Sequence, residues 1–182
     1  MPVEPEHLEL LERLHTGTSV HSGGALLDHL LGTWTYLSEW GNPEYLCIAG
    51  LFHSIYATQS YRTQSAALDD RPMIRNVIGH EAEELAFLFC VAQRRSFFEQ
   101  VGNPNPELHD RVHDEIRAVT PRVMRDLIEL EVGNYVEFMP RTDFTVDELE
   151  DLQARVEAGR DVLSAAAYEA ACSAIHAKRA ES

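Results

Sequence analysis

The chain has 182 residues, of which 45% are hydrophobic, and it carries a formal net charge of −15. This length suffices for one folded domain, and so negative a surface repels phosphate backbones and anionic lipid, which argues against nucleic-acid and membrane partners. No run approaches ~18 uninterrupted apolar residues, and the acidic segment "MPVEPEHLEL" lacks the basic and apolar regions of a signal peptide.

The cysteines indicate a reducing compartment. Cys47, Cys90 and Cys172 are widely spaced in apolar helical contexts, as in "EYLCIAG" and "FLFCVAQ". Because their number is odd and no CxxC pair exists, we expect three reduced thiols in a cytoplasmic protein. The net charge of the chain does not determine whether a small-molecule pocket carries positive or negative charge.

Apolar residues recur at three and four positions throughout, which predicts helices and no strand ladder. Asn42 and Pro43 provide a helix start, and Thr145 and Glu148 have the spacing of a capping box. We therefore expect an all-α protein of one domain with seven to nine helices. They are predicted over about 4–16, 25–40, from 43 to beyond His53, 71–79, 80–101, 108–116, 120–139, 146–158 and 161–179.

Nine histidines are many for a chain of this length. His7, His15 and His176 lie on amphipathic or terminal helices, where we expect surface or packing roles. His109 and His113 are four residues apart in "LHDRVHDEI", a spacing that puts both imidazoles on one face of a helix and can bind zinc. The segment is otherwise polar and offers no third ligand, so we expect a solvated helix face.

Two other histidines lie in apolar surroundings on consecutive predicted helices. His29 follows "LLD" and precedes "LLGT", and His53 lies in "LFHSIYAT". An isolated histidine in such a place is more often a core residue hydrogen-bonded to backbone than a ligand. Two of them on antiparallel helices, joined by the short "GNP" connection, favour a shared cavity.

Several motifs, in this order, resemble the HD superfamily, and within it the hydrolase domain of the stringent-response (p)ppGpp hydrolases. "HSGGALLDH" resembles the Ser-Gly loop and its following histidine, His29, and "CIAGLFHS" contains the histidine of the His-Asp pair, His53. "IRNVIGHEAEELAFLF" resembles a later amphipathic helix, and "LEVGNYVEF" resembles the Ala-Asp segment. The similarity covers about residues 20–140. It implies an HD-domain-like helical bundle, with helices at about 145–179 packed on it in a single domain, 1–182.

The resemblance also implies a divalent metal held by two histidines and two aspartates. Here the metal ligands would be His29 and His53, while Ser54 and Asn134 stand where the family has its aspartates. Neutral side chains in these places should weaken the binding of iron, manganese or zinc, and without a metal the site would use no cofactor. The acidic pair that the (p)ppGpp hydrolases place after His-Asp is missing from "SIYATQSY".

Further polar residues near these motifs are candidates for the same site. His80 opens a helix and shares a face with Glu84, so it can act as a metal ligand or an acid–base group. The alternative interpretation is that the glutamates at this helix start only interact favourably with the positive end of the helix dipole. The predicted catalytic residues are His29, His53, Ser54 and His80. The predicted substrate contacts are His21, Tyr56, Arg75 and Asn134.

The sequence leaves three functions open. The leading one is an HD-like hydrolase that acts on a small polar metabolite through an atypical metal site. The alternatives are a metal-dependent oxygenase of HD fold with two irons, and a non-catalytic domain that binds a ligand or a partner. We expect a small-molecule substrate, with no nucleic-acid and no membrane binding, and leave open whether the chain forms a homo-oligomer.

Overall fold

The computed structural model describes residues 2–14, 23–56 and 65–181. Within these ranges the chain is mostly α-helical, as predicted, with a two-stranded antiparallel sheet between the fifth and sixth helices. The helices are α1 (Pro5–Arg13), α2 (Gly23–Glu39), α3 (Glu44–Phe52), α4 (Arg71–Ile78), α5 (His80–Val91), α6 (Pro121–Phe138), α7 (Val146–Ala158) and α8 (Ala165–Glu181). The strands are β1 (Glu107–Asp110) and β2 (Glu115–Ala118). The 3-10 segments are Leu68–Asp70, Arg94–Gln100 and Met139–Arg141.

Local sequence accounts for several helix starts. The Thr120 hydroxyl accepts a hydrogen bond from the backbone N–H of Val123 (3.2 Å) at the first turn of α6. Thr145 and Glu148 form the predicted capping box of α7, which covers the predicted range. Gly41 ends the turn after α2 in the left-handed region, with φ 77°.

The prediction of a helix over "LHDRVHDEI" is wrong, because this segment forms the hairpin of β1 and β2. His109 lies in β1 and His113 in the turn, so the two imidazoles share no helix face. The Asp110 carboxylate accepts hydrogen bonds from the backbone N–H groups of Val112 (2.9 Å) and His113 (3.0 Å). These local bonds give the backbone an alternative to the helix, and Asp114 completes the turn with φ 52°.

Helix α5 also ends earlier than predicted, at Val91 rather than near residue 101. The chain leaves the helix there to pair with β1. The Gln93 N–H donates to the His109 carbonyl, and the Arg111 N–H donates to the Val91 carbonyl, both at 2.9 Å. The hairpin is thereby anchored to the end of α5.

Helix α3 forms the centre of the core. It is buried from Leu46 to Phe52, and α2, α5 and α6 pack around it. The close approach of α2 depends on Gly50, where an added Cβ would collide with Leu37. In the C-terminal part, α8 packs on α6 and on α7. None of the described helices combines the length and the apolar character that a bilayer crossing requires.

Candidate functional site

Helix α2 and the end of α3 bring the two predicted histidines into direct contact. His29 lies in the first half of α2, and His53 directly follows the last residue of α3. Their Nε2 atoms are 3.1 Å apart, and the ring planes cross at 77°. His53 is 1% exposed, whereas the His29 side chain is 17% exposed. Solvent therefore reaches the pair on the side of His29.

The outer nitrogen of His29 is bound by a carboxylate from α6. His29 Nδ1 hydrogen-bonds to Glu137 Oε2, and the other Glu137 oxygen accepts from Arg141. Burial alone would raise the pKa of Glu137, but the hydrogen bonds from His29 and Arg141 outweigh it and hold this pKa below its ordinary value. Glu137 is therefore ionised, and His29 Nδ1 carries the hydrogen.

The outer nitrogen of His53 is bound by backbone. His53 Nδ1 lies 2.7 Å from the carbonyl oxygen of Gly50, and a carbonyl only accepts, so this Nδ1 also carries the hydrogen. In the neutral rings both Nε2 atoms are then acceptors. The two lone pairs face each other across 3.1 Å. A proton on His29 Nε2, with His29 then ion-paired to Glu137, satisfies this contact, and so does a cation bound by both nitrogens.

Burial keeps His53 neutral. Burial and the neighbouring His29 imidazole hold the pKa of His53 well below its ordinary value. A neutral His53 leaves Nε2 as an acceptor, either for an N–H of His29 or for a metal ion, and neutral imidazole nitrogens are common metal ligands.

Helix α6 places further polar groups beside the pair. Asn134 is 5% exposed, and its side chain interacts with both His53 and Glu131. Glu131 is 2% exposed and accepts a hydrogen bond from Arg94 Nη1 at 2.9 Å. Burial raises the pKa of Glu131 although Arg94 faces it. The Arg94 guanidinium in turn lies 4.8 Å from the centre of the Phe89 ring.

Gly32 allows Glu137 to reach His29. It lies one turn after His29 on α2, and an added Cβ would be 2.7 Å from Glu137 Cγ. The absence of a side chain at this position is therefore part of the site.

The structure brings Ser54 near the pair but separates His80 from it. Ser54 follows His53 in the turn after α3 and is buried. His80 begins α5, nine residues before Phe89, whose ring centre lies 5.3 Å from that of His53. Nine helical residues span about 13 Å. The fourth predicted histidine, His21, lies outside the described residues.

His80 instead lines a separate cavity of about 270 Å³. Glu84, Tyr45 and Asp126 also line it, and Leu85 forms part of its apolar wall. Glu84 is bound to Arg71 and Arg75.

Tyr56 and Arg75 meet at Glu83 rather than at the histidine pair. Glu83 is fully buried and accepts hydrogen bonds from the Tyr56 hydroxyl (3.0 Å), Arg75 Nε (2.9 Å) and Arg71 Nε (2.6 Å). Burial would raise the pKa of Glu83, but the two arginines hold it below its ordinary value. Tyr56 and Arg75, which were predicted to contact substrate, thus both bind Glu83 inside the protein. The ion pairs of Glu83 with the two arginines join α4 to α5.

Sequence reasoning misses four side chains beside the histidines, namely Arg94, Glu131, Glu137 and Arg141. One signal was available in "LIELEVGNYVEF", where glutamates interrupt an apolar helix. A carboxylate at a core-facing position requires a partner, so these glutamates mark polar contacts within the core. The identity of the partners follows only from the tertiary structure.

A second group of possible ligands lies in the hairpin. Asp110, His113 and Glu115 offer ligand atoms within 4.8 Å of one another. The buried Asp110 carboxylate already accepts from His113 Nδ1 and from Arg117 Nε, both at 2.8 Å. Together with its two backbone bonds, these contacts explain the cluster as the support of the turn.

Comparison with known proteins gives one match. A family model described as a domain of unknown function, DUF6817, matches residues 10–94, less than half of the chain. No curated protein and no solved structure matches the chain. The matched segment contains both His29 and His53 but not α6, which supplies Asn134 and Glu137.

Proposed function

We propose that this protein is an HD-like metal-dependent hydrolase of a small polar metabolite, with His29 and His53 as metal ligands. The observation that carries the proposal is the convergence of the two Nε2 lone pairs at 3.1 Å. This separation suits two nitrogen atoms that each lie about 2.0–2.1 Å from one zinc ion. Iron and manganese are alternatives, since both also accept imidazole ligands.

The surroundings of the histidines fit a metal centre. Metal-binding histidines commonly donate their second ring N–H to a carboxylate or to a backbone carbonyl, which fixes the tautomer and the orientation of the ring. Glu137 serves His29 in this way, and the Gly50 carbonyl serves His53. Asn134 offers an amide oxygen as a third ligand from α6, in the place where the HD pattern has an aspartate.

A metal ion in this position would polarise the substrate and lower the pKa of a bound water. The protein's own groups orient the reaction. Glu137 keeps the lone pair of His29 directed inward, and the burial of His53 keeps bulk water from that side of the site. Arg141 is 58% exposed beside Glu137 and attracts an anionic group of a substrate towards the open side.

Two alternatives have less support. An oxygenase with two irons needs additional carboxylate ligands, yet Glu131 is bound to Arg94, and Glu137 is bound to His29 and Arg141. A non-catalytic binding domain would explain the neutral side chains at the two aspartate positions of the HD pattern. It would not by itself explain two opposed lone pairs in the core.

The proposal is tested by turnover. Chelator-treated protein is reloaded with zinc, manganese or iron(II) and assayed against a panel of nucleotides, phosphate esters and small amides. We expect hydrolysis by the loaded protein and a loss of at least about 10²-fold in His29→Gln and in His53→Gln. Oxygen consumption with the iron form would favour the oxygenase. Binding of a panel compound without turnover would favour the non-catalytic domain.

A further inference from the structure

The β hairpin has one edge covered by the protein. Strand β1 pairs with residues 91–93, where the Gln93 N–H donates to the His109 carbonyl and the Arg111 N–H donates to the Val91 carbonyl. Successive residues of an antiparallel strand direct their backbone groups to opposite sides. The backbone N–H and C=O groups of His109 and Arg111 therefore face the end of α5. Those of Leu108 and Asp110 face β2.

This alternation determines which groups of β2 point outward. Leu108 is paired with Arg117 and Asp110 with Glu115, and these pairs carry the hydrogen bonds between the strands. The backbone N–H and C=O of Ile116 consequently point away from β1. No described residue outside the hairpin bonds to them.

Two large apolar side chains of the hairpin are exposed near this open edge. Ile116 is 62% exposed, and Val112, in the turn that leads into β2, is 54% exposed. Sheet edges that avoid association usually carry lysine, proline or an inward charge at such positions. Here an unpaired backbone and an exposed β-branched residue coincide, which is the combination that strand addition uses.

We propose that β2 pairs with β2 of a second copy of this chain, antiparallel about a two-fold axis at Ile116, to form one four-stranded sheet. In this register each Ile116 N–H donates to the Ile116 carbonyl of the other copy. Glu115 then lies opposite Arg117 of the second copy, and the symmetry provides this pair twice.

The charge pattern selects this partner. Opposite charges at directly opposed positions stabilise a strand pair, and like charges destabilise it. Within one chain Arg117 Nε is bound to Asp110 of β1, and Arg117 Nη2 is paired with Glu115. A second copy in the two-fold register places a further Glu115 carboxylate beside each Arg117. Glu115 and Arg117 flank Ile116 symmetrically. In the two-fold register each charge of one copy therefore lies opposite the opposite charge of the other copy, and a second copy of this chain is a sufficient partner.

Sedimentation of the full chain over rising concentration tests the proposal. Wild type should dimerise reversibly. Glu115→Arg places like charges opposite each other twice and should raise the dimer dissociation constant about tenfold or more. Ile116→Pro removes the outward N–H while the bonds to β1 remain, and should abolish the dimer. Glu107→Arg makes the same charge change at an exposed position of β1 and should dimerise as wild type does.

A wild type that stays monomeric up to submillimolar concentration overturns the proposal. A dimer that persists unchanged in Glu115→Arg, in a variant that melts as wild type does, overturns it as well. Thermal melting of each variant accompanies the measurement. If Ile116→Pro unfolds the hairpin, the comparison of Glu115→Arg with Glu107→Arg decides.

Discussion

His29 and His53 differ from ordinary core histidines in how their four ring nitrogens are used. A core histidine satisfies its N–H with a nearby carbonyl, as His53 does with Gly50. The remaining nitrogen then finds a donor or water. Here each remaining nitrogen finds the other, and both are acceptors. The proposed metal ion would bind both nitrogens at once.

Glu137 is the residue whose removal tests this interpretation without touching either histidine. Glu137→Gln keeps the size of the side chain but removes the charge that fixes the His29 tautomer. We expect metal affinity to fall about 10–100-fold, as for other partners of metal-binding histidines. Competition with a chromophoric chelator measures the change. Glu150→Gln, at an exposed position of α7, is the control and should bind metal as wild type does; equal affinities in both variants would count against the role of Glu137.

At the scale of elements, the approach of α6 to α2 builds the site, and Gly32 sets this approach. Gly32→Ala should favour the helix by up to about 1 kcal/mol in isolation. Its Cβ, however, would displace Glu137 from His29. We therefore expect weaker metal binding in a protein whose unfolding free energy is hardly lowered, with calorimetric titration and urea unfolding as the two measurements. Thr35→Ala, exposed on the same helix, should leave the affinity unchanged.

The hairpin should be sensitive to acid through Asp110. Burial would raise the pKa of Asp110, but hydrogen bonds from His113 and Arg117 and from backbone lower it to about 2. A carboxylate with a depressed folded-state pKa adds stability above its unfolded value of 3.8, and this stability is lost as pH falls towards 2. The contribution is about 2 kcal/mol at neutral pH.

Urea unfolding of wild type and Asp110→Asn at pH 7 and at pH 2 isolates this contribution. We expect wild type to be more stable by about 2 kcal/mol at pH 7 and by almost nothing at pH 2. The comparison cancels the acid sensitivity that both proteins share. A difference that is the same at both values of pH would show that the Asp110 charge adds no stability.

Elements with complete local signals could be predicted from the sequence. The Thr145 capping box and Pro121 at the start of α6 determine their helix starts through contacts within one turn. The hairpin could not be predicted from periodicity, because "LHDRVHDEI" also fits a helix. Its strands are fixed by pairing with residues 91–93 and by the bonds of Asp110, and these contacts are not visible in a pattern of apolar spacing.

The same distinction holds for the candidate site. The apolar helical setting of His29 and His53 predicts their proximity, since packed neighbouring helices bring such positions together. Glu137 lies 108 residues after His29, and no local rule connects the two. His80 shows the converse case: its position on a helix face was predicted, but helix length carries it away from the pair.

At the scale of the whole molecule, both parts of the chain are needed for the site. The segment that matches the family of unknown function contributes the two histidines, and α6 contributes Asn134, Glu137 and the buried Glu131. The chain carries a net charge of −15, and the two arginines beside the site are paired with glutamates, Arg94 with Glu131 and Arg141 with Glu137.

Metal titration of the chelator-stripped full chain tests the central claim most directly. We expect saturable binding of about one zinc or manganese ion per chain, since both imidazoles address one ion. Binding should be lost in His29→Gln and in His53→Gln and retained in His80→Gln, whose imidazole lies outside the pair. Absence of saturable binding in folded wild type, or equal binding in all three variants, would contradict a metal centre between His29 and His53.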